Sequence, residues 1–402
     1  MSESLQAIET VSTLALCLRS AGTRAGLWAS MVIAVASCQS STVRRPYERP
    51  AASQVPGGVL SLLWRSDVHV HELFEPAPQE CASGALVGKQ LVIGSRNRQL
   101  SSYSTESGQR LWQVQAGAQI ESQALFDAGR KVVYVGANDG QLLAVDPADG
   151  AVRWRYQAEG GILNAPELAG DNLYFSTNRG RLYALTAKDG KWLWDYERER
   201  PEEFAIHGDA APRLIGDSLY AGFSDGFLTS IRPATGDVQW ARSLASGSNQ
   251  YVDVDTTPVM VQDTLIAGSH SGGVYGLSAT DGLVKWRLPV EGAGSPLKHG
   301  NDIYFVAPRE GLHALDGRTG RVLYRRGLSG AGTVTVPQSL GPYLVFSGSR
   351  TGVYVVDRAT GRLRQTFFPG RGMCAAPTID EANHRLYVLS NGGTLYALSV
   401  SW

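Results

Sequence analysis

The chain has 402 residues, and its 37 basic side chains balance its 37 acidic ones, so the formal net charge is zero. This balance, with no long Lys/Arg block, excludes the electrostatic footprint of a nucleic-acid-binding protein, and we expect no nucleic-acid partner. The 46 glycines punctuate short apolar runs, which is typical of all-β proteins with many turns.

The N-terminal segment has the features of a lipoprotein signal peptide. Arg19 and Arg24 precede the apolar run 27–37, which is as long as a signal-peptide core and too short to span a bilayer. It ends in Val35-Ala36-Ser37-Cys38, which resembles a bacterial lipobox. The resemblance implies cleavage before Cys38, acylation of its thiol and amine, and attachment to a membrane through the lipid alone. Gln39, in place of Asp, implies the outer membrane and its periplasmic face. The alternative is an ordinary secretory signal followed by a chance cysteine.

The rest of the chain divides into a tether and a folded domain. Residues 38–57 are polar and rich in Pro and Ser, without apolar periodicity. Such a composition predicts a flexible tether. We therefore predict a signal peptide over 1–37, a tether over 38–57 and one repeat domain over 58–402.

An internal repeat predicts the fold of this domain. Its clearest copies are Gly140–Val145, followed by Gly150 and Trp154, and Gly180–Leu185, followed by Gly190 and Trp194. Apolar residues on both faces suit a sheet packed between two neighbours. Asp-Gly at 149–150 and 189–190 predicts hairpins with type I′ turns. The equivalent tryptophans are expected to fill gaps between sheets rather than to bind a ligand.

The spacing of the repeat predicts an eight-bladed β-propeller of four-stranded antiparallel blades. Turn glycines recur at 108, 150, 190, 236, 282, 320 and 361, about the spacing that a four-stranded blade needs. Prolines mark the inner strand of each unit at 166, 212, 258, 296, 337 and 377. The last copy ends before its final strand, and we expect the N-terminal segment Val59–Trp64 to supply it, which removes open sheet edges.

Two cysteines predict a cross-link at the closure of the ring. Aligned by the repeat, Cys81 and Cys374 occupy the same place in the inner strands of blades one and eight, which are ring neighbours. In an oxidising compartment this placement predicts a disulfide, unless the inner strands lie too far apart.

Catalytic motifs are scarce. Gly222-Phe223-Ser224-Asp225-Gly226 matches the nucleophile elbow, but it aligns with a strand-to-strand turn of another blade and is read as a false positive. The histidines are scattered without zinc spacing, and we expect the closest pair, His69 and His71, to be ordinary polar side chains at the protein surface. The repeat resembles the quinoprotein type, whose enzymes are longer and often carry a vicinal cysteine pair and an acidic calcium site. No cysteines are adjacent here, so we expect no cofactor, no metal and no enzymatic activity.

Two long connections are the candidate binding site. Asp195–Gly208 and Ala241–Asp255 lead into the inner strands of blades four and five. Long neighbouring loops on a rigid ring suit recognition, and apolar anchors beside acidic groups suit a protein interface. The first loop offers Phe204, Ile206 and His207, and the second offers Tyr251, Asp253 and Asp255. The alternative is a pair of ordinary solvated loops.

These loops also carry a specific family resemblance. The segment Asp253–Val259 is similar to the D-V-D-T-T-P-V segment of the BamB family, propeller lipoproteins of the outer-membrane β-barrel assembly machinery, and 204–212 resembles the family's L-S-L-R-G-E-S-A-P segment. The resemblance implies docking on a POTRA domain of BamA through Phe204, Ile206, Asp253 and Asp255, and association with the other subunits. His207 stands where the family has Arg. The imidazole of His207 is a weaker and more pH-sensitive binding group than the permanently charged guanidinium of Arg. The alternatives are a propeller that binds a small ligand and one that binds a different envelope protein.

Overall fold

The computed structural model describes residues 58–69, 79–198, 210–245, 251–328 and 330–402. Within these ranges the chain forms 32 strands, arranged as eight antiparallel four-stranded sheets, and no helices. The described part accordingly contains no helix that could cross a membrane. Neighbouring sheets touch through their first strands, and the first and last sheets also touch, which closes a ring. The fold is the predicted eight-bladed β-propeller.

Each blade begins with a short strand at the centre of the ring and adds longer strands outward. Blades one to three contain β2 (Ala85–Val87), β3 (Gln90–Gly94), β4 (Gln99–Ser104), β5 (Arg110–Gln115); β6 (Leu125–Asp127), β7 (Val132–Gly136), β8 (Gln141–Val145), β9 (Val152–Gln157); β10 (Glu167–Ala169), β11 (Asn172–Thr177), β12 (Arg181–Thr186), β13 (Trp192–Glu197). Blades four and five contain β14 (Arg213–Ile215), β15 (Ser218–Gly222), β16 (Phe227–Ile231), β17 (Val238–Ser243); β18 (Val259–Val261), β19 (Thr264–Ser269), β20 (Gly273–Ser278), β21 (Val284–Leu288). Blades six to eight contain β22 (Leu297–His299), β23 (Asp302–Ala307), β24 (Gly311–Asp316), β25 (Val322–Arg326); β26 (Gln338–Leu340), β27 (Tyr343–Ser347), β28 (Val353–Asp357), β29 (Leu363–Phe367); β30 (Thr378–Asp380), β31 (Arg385–Leu389), β32 (Thr394–Val400), β1 (Leu60–Asp67).

The ring closes as the sequence predicted. Strand β1 pairs antiparallel with β32, from Leu60 opposite Val400 to Asp67 opposite Thr394, so the N-terminal strand completes the last blade. The strand continues three residues beyond Trp64, the end of the predicted segment. A disulfide joins Cys81 to Cys374, whose Cα atoms are 4.6 Å apart. The N-terminal strand thus belongs to blade eight, and the disulfide joins the segments that lead into the innermost strands of blades one and eight.

The prolines and glycines of the repeat have distinct positions. Each proline marker comes directly before an inner strand, as Pro166 does before β10. Each turn glycine connects the third and fourth strands of a blade and has a positive φ, 78° at Gly150. The type I′ prediction was wrong, because Asp149 does not share the positive φ and the Gly150 amide instead bonds the carbonyl of Asp146. This turn places the Pro147 carbonyl 2.8 Å from the indole nitrogen of Trp112 in the preceding blade, which donates a hydrogen bond to it.

The hydrophobic core lies between the blades. The middle strands bury both faces; in β11, for example, Leu173, Tyr174 and Phe175 are all buried. One face packs on the preceding blade and the other on the following blade, in separate clusters. The outermost strands are half exposed. Because hydrophobic clusters pack each blade against its neighbours, the ring is rigid. The face that carries the connections between blades therefore supports the loops in fixed positions.

Candidate functional site

The candidate loops lie on one face of the ring. In an antiparallel blade, the turn between the second and third strands lies on the same face as the connection to the next blade. Both long connections, between β13 and β14 and between β17 and β18, therefore lie on this face, which we call the loop face. Phe204, Ile206 and His207 fall outside the described residues, as do the lipidation candidate Cys38 and His71. The ends of both connections are described.

One turn of blade four anchors both connections. Residues 222–226 join β15 to β16, so the G-x-S-x-G match is a strand-to-strand turn and not a nucleophile elbow, as predicted. The second connection starts where the Leu244 amide bonds the Gly226 carbonyl, at 2.8 Å, and it returns where the Val254 amide bonds the Phe223 carbonyl, at 3.0 Å. A side chain at Gly222 would collide with Val254, which explains the glycine there.

The first connection is fixed to the same turn by an ion pair. Arg198, the last described residue before this connection, bonds the carboxylate of Asp225 through its Nε atom, at 2.5 Å. Its guanidinium also lies 4.2 Å from the centre of the Phe227 ring, a cation–π contact. Burial raises the pKa of Asp225, and Arg198 opposes this shift. This pair could not be predicted from the sequence, because its two residues belong to different blades.

The two acidic candidates differ in exposure. Asp253 is completely buried, whereas a direct contact residue is expected at the surface. Asp255 is partly exposed, but its Oδ1 atom is buried and has no hydrogen-bond partner among the described residues. Burial, with a contribution from the charge of Asp253, raises the pKa of Asp255 to about 7. One buried oxygen of the Asp255 carboxylate thus lacks the hydrogen bond that usually accompanies burial.

An aromatic side chain stands beside these carboxylates. Tyr251 is 44% exposed, and its φ of 54° is unusual for a residue other than glycine. Its ring centre lies 6.2 Å from that of His270, in the corresponding turn of blade five. Two hydrogen bonds attach the loop backbone to this turn. The His270 amide donates to the Asp253 carbonyl, and the Ser271 amide donates to the Tyr251 carbonyl. The described part of the site therefore presents Tyr251, His270 and Asp255 together.

The remaining sequence candidates do not form a site with these loops. His69 lies against Asn97 of blade one, with 3.3 Å between its Nδ1 and the amide nitrogen. Within the described ranges, no group of three or more His, Cys, Asp or Glu side chains is arranged to hold a metal ion.

A ring of eight four-stranded blades with this repeat defines a β-propeller of the PQQ-like class. The family model described as outer membrane protein assembly factor BamB matches residues 96–326, more than half of the chain. The chain belongs to this family. No curated protein matches it in sequence.

Solved structures share the fold. BamB from Moraxella catarrhalis matches with a TM-score of 0.72 and 22% identity, over 85% of this chain and 100% of that one. The computationally designed Ika8 protein matches with a TM-score of 0.67 and 15% identity, over 83% of this chain and 98% of that one. Quinohemoprotein alcohol dehydrogenase from Comamonas testosteroni matches with a TM-score of 0.64 and 15% identity, over 84% of this chain and 76% of that one.

Proposed function

We propose that this protein is a non-enzymatic scaffold lipoprotein of the outer-membrane β-barrel assembly machinery, which docks on a POTRA domain of a BamA homologue and assists the insertion of barrel proteins. Membership of the BamB family supports a role in this machinery. The observation that carries the docking proposal is the anchoring of both long connections on one turn, residues 222–226, on one face of the ring.

The proposed contacts divide into direct and supporting residues. Asp255 and Tyr251 contact the partner directly, together with Phe204, Ile206 and His207 of the first loop. Asp253 acts by positioning the loop, since its carboxylate is buried and its carbonyl accepts the His270 amide. A cationic side chain of the partner would supply Asp255 with the hydrogen bonds that the described residues do not provide.

The test measures binding of the purified mature chain to the periplasmic POTRA domains of the BamA homologue from the same organism. We expect Asp255→Arg or Tyr251→Ala to weaken binding at least tenfold. Asp217→Arg is the matched control, because Asp217 is an exposed carboxylate of blade four in the turn on the opposite face. Thermal unfolding of each variant verifies the fold. Undiminished binding by both loop variants would overturn the docking proposal.

The lipid anchor requires its own test. We propose that Cys38 is acylated and holds the protein at the periplasmic face of the outer membrane. Cys38→Ala is expected to release the protein from outer-membrane vesicles into the soluble periplasmic fraction. Retention of the variant in the vesicles would contradict this anchor.

A second candidate function comes from the likeness to the dehydrogenase. The fold is shared at 15% identity, and the second candidate is therefore a propeller that binds a small ligand or a quinone cofactor. Addition of pyrroloquinoline quinone with calcium to the purified chain separates the two proposals. A bound cofactor absorbance band and dye-linked alcohol oxidation would favour the enzyme, and neither is expected for the scaffold.

A further inference from the structure

One part of the ring carries a strong positive charge. Residues 311–379 contain nine arginines and two aspartates, and no lysine or glutamate, a net charge of +7 in a chain whose net charge is zero. The two aspartates, Asp316 and Asp357, lie at turns on the face opposite the loop face, where they bond Arg318 and Arg364. Neither aspartate therefore neutralises arginines on the loop face.

Two of these arginines lie on the loop face without an acidic partner. Arg350 is in the turn between β27 and β28, and Arg371 is in the connection between β29 and β30. Both are exposed, and neither bonds a carboxylate in the described part of the chain. On blade six, by contrast, Arg309 pairs with Glu291 at 3.1 Å and Arg325 pairs with Glu310 at 3.4 Å. Within residues 311–379, the loop-face turns and connections thus carry their unpaired arginines on the neighbouring blades seven and eight.

A buried amide holds the two arginine segments together. Asn391 of blade eight is 5% exposed, and its Nδ2 atom donates to the carbonyl oxygens of Ser349, at 3.1 Å, and Arg371, at 3.2 Å. A Cβ atom on Gly372 would lie 2.1 Å from the Ser349 carbonyl oxygen, so the two segments are in backbone contact. The positions of Arg350 and Arg371 are therefore set before any partner binds.

Glycines also support the stems of both arginines. A Cβ atom on Gly332 would lie 2.8 Å from the Cγ atom of Arg350, and one on Gly392 would lie 3.3 Å from the Cδ atom of Arg371. The aliphatic stems therefore lie over bare backbone while the residues remain exposed. This arrangement lowers the loss of side-chain entropy when the guanidinium groups bind.

An exposed aromatic residue adjoins the pair. Phe368 is 50% exposed, although the residues on both sides of it, Phe367 and Pro369, are buried. A Cβ atom on Gly352 would lie 1.9 Å from the Phe367 carbonyl oxygen, so this segment packs along the turn that carries Arg350. Arginine and aromatic side chains are the residue types that most often dominate protein interfaces.

We propose that Arg350, Arg371 and Phe368 form a second binding surface, the arginine surface, which takes an acidic segment of a partner protein. Two guanidinium forks match carboxylates bidentately, and Phe368 adds apolar area. Polybasic sites for anionic membranes use about four to eight basic residues, more than this surface has unpaired. The surface lies on blades seven and eight, so it does not depend on the proposed docking through blades four and five.

The test uses the full mature chain and a fluorescein-labelled pool of decapeptides, each with four Asp or Glu and two aromatic residues at random positions. The control pool replaces every acid with its amide. We expect the acidic pool to bind, and Arg350→Gln with Arg371→Gln to weaken binding at least tenfold. The matched control is Arg321→Gln with Arg362→Gln, which removes the same charge from exposed arginines directly before the outermost strands of blades six and seven. That control should retain the wild-type affinity, and Phe368→Ala should weaken binding several-fold.

Three results would overturn the proposal. The first is no binding of the acidic pool by the wild-type chain. The second is an equal loss of affinity in both double variants, which would indicate long-range attraction instead of a site. The third is sedimentation with phosphatidylglycerol vesicles that depends on Arg350 and Arg371, without peptide binding, which would identify a lipid surface. Unchanged binding of the POTRA domains by the Arg350/Arg371 variant would confirm that the two sites are separate.

Discussion

The indole ring of Trp194 in blade three lies against Gly236 of blade four and leaves no room for a side chain there. A Cβ atom on Gly236 would lie 2.8 Å from the Cδ2 atom of the indole, and the indole nitrogen donates to the Pro233 carbonyl at 2.9 Å. The same contact recurs between neighbouring blades, at Gly108, Gly150, Gly190, Gly282 and Gly320. The two strongest markers of the repeat, the glycine and the tryptophan, are therefore the two halves of one contact.

Substitution of this glycine should be more destabilising than its backbone conformation alone explains. Gly236 has a φ of 80°, which costs an alanine about 1 kcal/mol, and the collision with Trp194 should add about 1 to 3 kcal/mol. Gly216→Ala in the same blade is the matched control, because Gly216 has a φ of 60° with nothing within 4 Å of its Cβ position. Urea unfolding measures the difference. An equal loss of unfolding free energy in Gly236→Ala and Gly216→Ala would show that the collision with the indole does not add to the cost of the substitution.

The disulfide between Cys81 and Cys374 should stabilise the closed ring. It links residues 293 apart in sequence, and a cross-link over a long segment restricts the unfolded chain most. We expect Cys81→Ser with Cys374→Ser to lower the free energy of unfolding by about 2 to 4 kcal/mol. Dithiothreitol should destabilise the wild-type protein similarly and leave the double variant unchanged. Free thiols in the exported wild-type protein, detected by intact mass after alkylation, would contradict this prediction.

Asp255 should make the stability depend on pH. Its pKa is raised to about 7 in the folded protein, whereas that of an unfolded aspartate is about 4. Between these values the folded protein keeps a proton that the unfolded chain has lost, so stability falls as the pH rises from about 4 to 7 and then levels off. Asp255→Asn should therefore be more stable than the wild type at pH 8, by at most about 4 kcal/mol, and similar at pH 4. Denaturant unfolding at both pH values tests this, with Asp217→Asn as the control; equal stabilities at pH 8 would refute it.

His313 should affect stability in the opposite direction. It is buried, stacks on Phe305 with ring centres 4.9 Å apart, and faces Glu310 and Arg325. Burial lowers its pKa, so below about pH 6.5 the unfolded chain takes up a proton that the folded protein does not, and stability falls with the pH. Blades three and five have Tyr183 and Tyr275 at the equivalent position. His313→Tyr should lose less stability than the wild type between pH 7 and pH 5 in thermal unfolding, and a parallel loss in both proteins would contradict the assignment.

Most of the architecture was predictable from the sequence. The number of blades follows from the spacing of Gly150, Gly190 and their equivalents, because every blade except the last is a local unit of four consecutive strands. Closure by the N-terminal strand followed from the missing last strand after Thr394–Val400. The predicted turn type was wrong because the tolerance of Asp-Gly for positive φ does not set the length of a turn, and the Gly150 amide bonds the carbonyl of Asp146 instead.

The ring, its eight blades, the segment that closes it and the loops that distinguish blades four and five could all be predicted from the amino-acid sequence. The three-dimensional structure was needed to show that Asp253 is buried while Asp255 is partly exposed, that Arg198 pairs with Asp225, and that Arg350 and Arg371 share one surface. The two groups of features differ in the range of the contacts that produce them. Strand periodicity and turns are set by neighbouring residues, whereas burial and pairing depend on side chains that meet across the gaps between blades.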